Sequence, residues 1–161
     1  MKSFVCATLA ALAIASKSSF PHDDAFHADC HLTAEFDGMS CDSLYALVDN
    51  EIRSWDSSTK SPAAGVYGLK EEANNDYIWS TRKTKNEKYT DDQLFEFTAT
   101  ASGCQVSGHS RSQSMSYYDY SVNYCNLWNV YNGITTSTPF TVSVGKCGYP
   151  ASDPKTTCAT Y

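Results

Sequence analysis

The stretch "SCDSLYALVDNEIRSW", residues 40–55, decides the predicted fold, because no other segment of the sequence has so clear a helical period. Ser40 suits an N-cap, and Pro62 and Gly65 in the following "SSTKSPAAG" prevent continuation of a helix. Apolar residues recur at helical spacing between these limits and would share one face: Leu44, Leu47, Val48, Ile52 and Trp55. We therefore predict an amphipathic helix here.

The chain after this helix reads as a series of β-strands. "GVYGLKEE" and "DYIWSTRKT" flank Asn74-Asn75, which suits a hairpin turn. Further strands are predicted at "QLFEFTATA", "CQVSGHSRSQS", "SVNYCNLWNVY" and "PFTVSVGKC". One helix followed by five or six antiparallel strands indicates an α+β fold, in which an N-terminal helix packs on a curled, disulfide-stabilised sheet.

The beginning of the chain has the features of a secretory signal peptide. Lys2 gives a positive start, an apolar run covers residues 4–14, and Ala13 and Ala15 form an A-x-A-like cleavage site. The run is shorter than the roughly 20 residues of a membrane span, although an uncleaved anchor is the alternative. We predict a signal peptide over residues 1–16, an irregular acidic arm over 17–39, and a single α+β domain over 40–161.

Six cysteines remain once the predicted signal peptide and its Cys6 are set aside. An even number in a small exported chain favours disulfides formed in an oxidising compartment, and the absence of C-x-x-C spacing disfavours a zinc site. Six cysteines allow about 15 connectivities, so the pairing is a hypothesis. The nearest-neighbour choice is Cys30–Cys41, Cys104–Cys125 and Cys147–Cys158. We predict a secreted, extracellular protein.

The net charge of −6 excludes several classes of partner. An acidic chain without a basic stripe is a poor nucleic-acid binder and gains nothing from anionic lipid. We therefore predict no nucleic-acid partner and no insertion into a membrane. We also expect a monomer. No cofactor is predicted.

The strand at "CQVSGHSRSQS" has two different faces. Cys104, Val106, Gly108, Ser110 and Ser112 lie on one face, where their small size would let a helix or an aromatic ring approach closely. The other face carries polar residues and is expected to be solvated: Gln105, Ser107, His109, Arg111 and Gln113.

The following segment, "SMSYYDY", is rich in the residues that binding loops use. Tyr117, Tyr118 and Tyr120 would give large contact areas at low entropic cost. Alternatively, these rings close the end of the sheet. Asp119 and Arg111 are expected to pair at the base of the loop, because an unpaired buried charge is expensive; in the alternative, Arg111 stays free to bind an anion, a carboxylate or a sugar hydroxyl.

The elements "YTDDQLFEF", "GCQVSGHSRSQS" and "YYDYSVNYCNLWN" carry a family resemblance. Residues 89–131 resemble a module of uncharacterised secreted proteins from oomycetes, algae and amoebae. More distantly they are similar to a bacterial and plastid domain of unknown function, with a D-D-x-x-F-x-F strand, then S-x-S-R, an Asp and an Asn–Arg pair. The resemblance implies a fold and a structural core but no activity. The matching positions are Asp91, Asp92, Phe95, Phe97, Ser110, Arg111, Asp119 and Asn123, with Asn126 in place of the last arginine.

Catalytic and metal-binding interpretations find little support in the sequence. His109 and Ser110 are neighbours on a strand and would point to opposite faces, so a triad with Asp119 is disfavoured. The same argument disfavours Asp91 and Asp92 as an acid–base pair. His22, His27 and His31 lie in the acidic arm without a firm scaffold, and we predict no metal site.

The predicted function is non-catalytic recognition of an extracellular protein or glycan. The predicted binding residues are Tyr117, Tyr118, Tyr120, Arg111, Asp119 and His109. A small secreted enzyme or a protease inhibitor is the alternative, because the predicted fold resembles the cystatins and "QVSG" resembles their inhibitory loop. A structural component of a wall or coat is a third hypothesis.

Overall fold

The computed structural model describes residues 17–135 and 139–161, and within them it contains one six-stranded antiparallel sheet. The strand order is β2-β3-β4-β5-β1-β6. The strands are β1 (Asp29–Asp37), β2 (Val66–Ala73), β3 (Tyr77–Lys83), β4 (Thr90–Ala99), β5 (Gly103–Ser112) and β6 (Thr141–Cys147). The helices are α1 (Cys41–Ser54), α2 (Val122–Gly133) and the short α3 (Pro154–Thr157). The α+β class is confirmed, and the predicted signal peptide lies outside the described residues.

Helix α1 forms where the apolar period predicts it. The Ser40 side chain accepts a hydrogen bond from the backbone N–H of Ser43, which satisfies one of the free donors at the helix start. Leu44, Val48 and Ile52 are fully buried against the sheet. Leu47 was predicted on the same face but is 38% exposed, because it lies at the edge of the apolar stripe.

Helix α2 corrects the prediction of a strand at "SVNYCNLWNVY". All residues from Asn123 to Tyr131 are buried, so this helix has no solvent-facing side. A helix that is buried all round shows no amphipathic period, and its aromatic and β-branched residues are typical of strands. Tertiary packing therefore decides the helical conformation.

Strand β1 corrects the prediction of an irregular arm over residues 17–39. It lies inside the sheet between β5 and β6, with Cys30, Leu32, Ala34 and Phe36 buried on one face. These alternate residues form a period-2 pattern among acidic and polar neighbours. The sheet therefore begins at Asp29, before the predicted domain boundary.

The main core lies between the sheet and helices α1 and α2. The small face of β5 admits α2, as predicted, and the Tyr131 hydroxyl fills the space beside Gly108. That hydroxyl donates a hydrogen bond to the carbonyl oxygen of Leu32 at 2.9 Å. Phe36 and Phe95 contact the Tyr131 ring edge-on.

The described part of the chain contains three disulfides, but the predicted pairing is wrong. The bonds are Cys30–Cys147, Cys41–Cys104 and Cys125–Cys158. Cys30 and Cys147 face each other across β1 and β6, so sheet register rather than sequence proximity selects them. Cys125 cannot face Cys104 across a hairpin because it lies on α2. Three disulfides indicate that the chain folds in an oxidising environment.

The opposite face of the sheet is partly covered by the N-terminal segment, residues 20–28. Phe20 packs with Tyr77, Trp79 and Leu94 in a second, smaller core. The prediction that this face of β5 is solvated is therefore wrong at Arg111, which is buried. In residues 17–135 and 139–161, no helix has the length and apolar character needed to cross a membrane.

Candidate functional site

A buried network of polar side chains joins β4 and β5 to α2. Ser110 donates a hydrogen bond to Asn123 Oδ1 at 2.7 Å, and Asn126 Nδ2 donates to Ser110 Oγ at 3.1 Å. Asn126 Nδ2 also donates to Asp91 Oδ2 at 2.8 Å. All four side chains are buried, so these hydrogen bonds replace the water that the groups lose.

Asp119 belongs to this network and caps α2. Its Oδ2 accepts from the backbone N–H of Asn123 at 3.0 Å and from Asn123 Nδ2 at 2.9 Å, and its Oδ1 accepts from the Ser121 N–H at 3.3 Å. The predicted pair with Arg111 is wrong, because Arg111 lies on the other face of β5 and donates to Asp24 Oδ2 at 2.6 Å. Asp119 therefore stabilises the start of α2 and does not pair with Arg111.

A cavity of about 330 Å³ opens beside this network. The β3–β4 loop contributes Tyr89, the ends of β4 and β5 contribute Asp91 and Ser112, and the β5–α2 loop contributes Tyr118 and Tyr120. Asp91 and Ser112 are buried and form the floor, whereas the three tyrosines are exposed and form the rim. We name this the tyrosine cavity.

The three tyrosines that were predicted to bind a ligand are exposed, but they line two different cavities. Tyr118 and Tyr120 line the tyrosine cavity and are each 68% exposed. Tyr117, at 58% exposed, lines a second cavity of about 270 Å³ together with Tyr149 and Lys146. Tyr124, by contrast, is buried on α2.

The carboxyl group of Asp91 has an unusual environment. Burial raises its pKa, and hydrogen bonds from Asn126 and Ser112 oppose this effect only in part. Asp119 raises the pKa of Asp91 further, whereas the Arg82 guanidinium lowers it. The floor of the tyrosine cavity therefore holds a carboxyl group whose charged form is disfavoured.

His109 lies on the opposite face of the sheet from the tyrosine cavity. Burial, followed by the neighbouring His31, lowers the pKa of His109 to about 4, so its ring is neutral at neutral pH. Ser110 points to α2, and Asp119 caps that helix, so the three residues do not form a catalytic triad. Neither His109 nor Arg111 is among the described residues that line the tyrosine cavity with Tyr118 and Tyr120.

Asp91 and Asp92 also point to opposite faces of the sheet, as the strand period predicts. Asp91 faces α2, whereas Asp92 Oδ1 accepts from the Trp79 indole at 2.8 Å and its Oδ2 accepts from Gln113 at 3.0 Å. The "QVSG" segment, residues 105–108, lies inside β5 and pairs with strands on both sides. It is therefore not presented as an inhibitory loop.

Two residues of the tyrosine cavity were not predicted from the sequence as binding residues: Tyr89 on its rim and Asp91 on its floor. Tyr89 lies in the β3–β4 loop and reaches the cavity only because β4 and β5 pair in register. The sequence does single out Asp91, because it comes just before the predicted strand at "QLFEFTATA" and belongs to the motif on which the resemblance rests. The burial of the Asp91 side chain could not be predicted from the sequence, because it depends on where α2 packs.

Comparison with known proteins adds no functional assignment. No protein family and no curated protein matches the sequence. Solved structures similar to this chain include protein CV1439 from Chromobacterium violaceum, with a TM-score of 0.45 and 8% sequence identity. The match covers 70% of this chain and 96% of that chain. We infer neither fold nor function from a likeness of this degree.

Proposed function

We propose that this protein is a secreted, non-catalytic recognition module that binds a neutral saccharide in the tyrosine cavity. One observation carries the proposal: exposed aromatic rings of Tyr89, Tyr118 and Tyr120 surround a cavity whose floor is polar. Large exposed aromatic side chains around a concavity are typical of binding sites. The three disulfides support export into an oxidising compartment.

The size and lining of the tyrosine cavity suit one or two sugar rings. Its volume of about 330 Å³ falls in the range of about 300–1,000 Å³ that small-molecule sites occupy. Tyrosine faces can stack on the apolar faces of sugars. The Ser114 hydroxyl lines the same cavity and can donate or accept hydrogen bonds, and the Ser116 hydroxyl, which donates to the Tyr118 carbonyl oxygen, can still accept one.

The charge of the tyrosine cavity selects among saccharides. Asp91 and Asp119 line it, and no lysine, arginine or histidine is among its described lining residues. A cavity lined by carboxyl groups and by no cationic side chain offers sulfated or uronic sugars no ion-pair partner. A neutral or amine-bearing saccharide therefore fits this cavity better than an anionic one.

The backbone conformation of the β5–α2 loop places the Tyr120 ring in solvent, which supports a binding role for this residue. Tyr120 and Ser121 have φ values of 52° and 70°, in the left-handed region that non-glycine residues rarely adopt. The Asp119 hydrogen bonds to Ser121 and Asn123 hold this conformation. Strained residues of this kind concentrate at functional sites, and here the strain directs an aromatic ring into solvent.

A small secreted enzyme is the second candidate, and one observation favours it. Asp91 is a buried carboxyl group with a raised pKa in a cavity, which is a typical setting for a general acid. The opposing carboxyl group, Asp119, has both oxygens committed to α2 and Ser121. This commitment makes Asp119 a poor nucleophile or base and supports binding over hydrolysis.

The test is an array of neutral, amine-bearing and sulfated saccharides probed with the folded, oxidised protein. We expect retention on neutral or amine-bearing sugars and none on sulfated sugars. Replacing both Tyr118 and Tyr120 by alanine should abolish retention without unfolding the protein, because both rings are exposed. A hydrolase panel on the retained sugar should show no product.

The matched control is Tyr117→Ala, which removes another exposed ring, from the neighbouring second cavity. This variant should retain the wild-type sugars. Absence of any retained saccharide, or equal loss of binding in the control, would overturn the proposal. Product formation that stops in Asp91→Asn would replace it by the enzyme candidate.

A further inference from the structure

Three potential metal ligands from three separate segments meet on the face of the sheet opposite α2. Asp23 comes from the N-terminal segment, His31 from β1 and His109 from β5. The two histidines are direct partners in the β1–β5 register, and their rings stack with centroids 3.9 Å apart. The potential ligand atoms of all three residues lie within 4.8 Å of one another.

Both imidazole rings direct a nitrogen to the same carboxylate. His31 Nε2 lies 3.1 Å from Asp23 Oδ2, and His109 Nε2 lies 2.9 Å from Asp23 Oδ1. Although it is this close, the buried His109 Nε2 makes no hydrogen bond of acceptable geometry to the described part of the chain. A buried polar atom without a partner is costly, and a ligand between nitrogen and carboxylate would satisfy it.

We propose that Asp23, His31 and His109 form a binding site for a divalent transition-metal ion such as Zn²⁺. Two imidazole nitrogens and one carboxylate oxygen are a ligand set that zinc accepts, with a fourth position open to water. Asp23 is exposed and His31 is half-buried, so an ion and its water can reach the site from solvent. We call these three residues the histidine cluster.

Lys146 sets the affinity of the histidine cluster. Its ammonium group lies 2.9 Å from Asp23 Oδ2 and 3.0 Å from Asp29 Oδ2, so it competes with a metal ion for Asp23. Asp29 can keep the ammonium group when a metal takes Asp23. Removal of Lys146 therefore strengthens metal binding. An exposed ion pair contributes up to about 1 kcal/mol, which corresponds to an increase in affinity of up to about fivefold.

Metal binding at the histidine cluster would fasten the N-terminal segment to the sheet. Phe20 lies against His109, with ring centroids 4.8 Å apart, so the segment already packs beside the cluster. A bond from the ion to Asp23 adds a crosslink between this segment and two central strands. The bound ion should therefore slow proteolysis within residues 20–28.

The experiment is calorimetric titration of the full, oxidised protein with ZnCl₂, with limited proteolysis as a second readout. We expect one ion per chain. His31→Gln and His109→Gln should each weaken binding by more than about 100-fold, because loss of even an outer-sphere partner costs about 10–100-fold. Lys146→Met should bind Zn²⁺ more tightly than the wild type, and Zn²⁺ should protect residues 20–28.

The matched control is His27→Gln. His27 belongs to the same N-terminal segment but contacts Asp24 at 2.8 Å rather than Asp23, so its loss should leave Zn²⁺ binding unchanged. Lack of Zn²⁺ binding by the wild type at millimolar concentration would overturn the proposal. An effect of His27→Gln as large as that of His31→Gln would also overturn it. Should His109→Gln fail to fold, the half-buried His31 position decides the outcome.

Discussion

The hydroxyl group of Tyr131 on α2 occupies the space in which any residue larger than glycine at position 108 of β5 would place its Cβ. The same added atom would lie 3.0 Å from Leu127 Cδ2 and 3.2 Å from the Leu32 carbonyl oxygen. Helix and sheet therefore meet at a distance that Gly108 sets. This contact positions α2, whose Asn126 and Asn123 donate hydrogen bonds to Asp91 and Ser112 on the floor of the tyrosine cavity.

We predict that Gly108→Ala destabilises the protein by about 1–3 kcal/mol, because the core must expand around the added methyl group. The measurement is the free energy of unfolding in urea. Tyr131→Phe removes the hydroxyl and should reduce the cost of Gly108→Ala in the double variant. Gly68→Ala is the control, because its added Cβ lies 3.6 Å from Thr81 Oγ1, an ordinary contact. Equal costs at both glycines would contradict the prediction.

Asp119 should contribute to stability through the start of α2. Asp119→Ala removes the acceptor for the Asn123 backbone N–H and leaves the buried Asn123 amide without one of its partners. We expect a loss of about 1–3 kcal/mol in the free energy of unfolding. Asp119→Asn keeps an acceptor oxygen and should lose less. An unchanged stability in Asp119→Ala would show that the cap is not required.

The pH dependence of stability should report the burial of Asp91. Because the pKa of Asp91 is raised in the folded state, its contribution to stability is fully present below the unfolded value of 3.8 and is lost as pH rises through the folded pKa. Asp91→Asn should therefore flatten this decrease in unfolding free energy above pH 3.8. A variant with the wild-type slope would contradict the prediction.

The disulfide pairing should be visible by peptide mapping without reduction. We expect crosslinked peptides that join Cys30 to Cys147, Cys41 to Cys104, and Cys125 to Cys158. Replacing both Cys125 and Cys158 by serine should lower the free energy of unfolding by about 2–4 kcal/mol, since the bond closes a loop with a sequence separation of 33. Free thiols at these positions in the oxidised protein would contradict the pairing.

The elements with a clear period were predictable from sequence. Helix α1 follows its apolar stripe, and the β2–β3 hairpin turns at Asn74 and Asn75, with Asn75 at a φ of 62°. The small face of β5 likewise predicts the close approach of a large element. In each case the period of residue types along the sequence identifies the face of the element that is buried.

The predictions that were wrong concern features that depend on contacts between residues distant in the sequence. Helix α2 is buried on all sides, so its sequence carries no helical period, and its position changes the partner of Cys125. Proximity in sequence favours Asp119 as the partner of Arg111, yet its partner Asp24 comes from the N-terminal segment that covers this face of the sheet.

The exposure of Tyr117, Tyr118 and Tyr120 fits the predicted loop. Only the fold, however, shows that Tyr117 lines a different cavity from Tyr118 and Tyr120.

The most direct measurement is an NMR titration of the labelled protein with the best-retained saccharide from the array. We predict side-chain chemical-shift changes concentrated at Tyr89, Tyr118 and Tyr120, with the Tyr117 ring unaffected at the second cavity. Failure of every saccharide to shift these signals, or shifts confined to residues outside the tyrosine cavity, would contradict the proposed function.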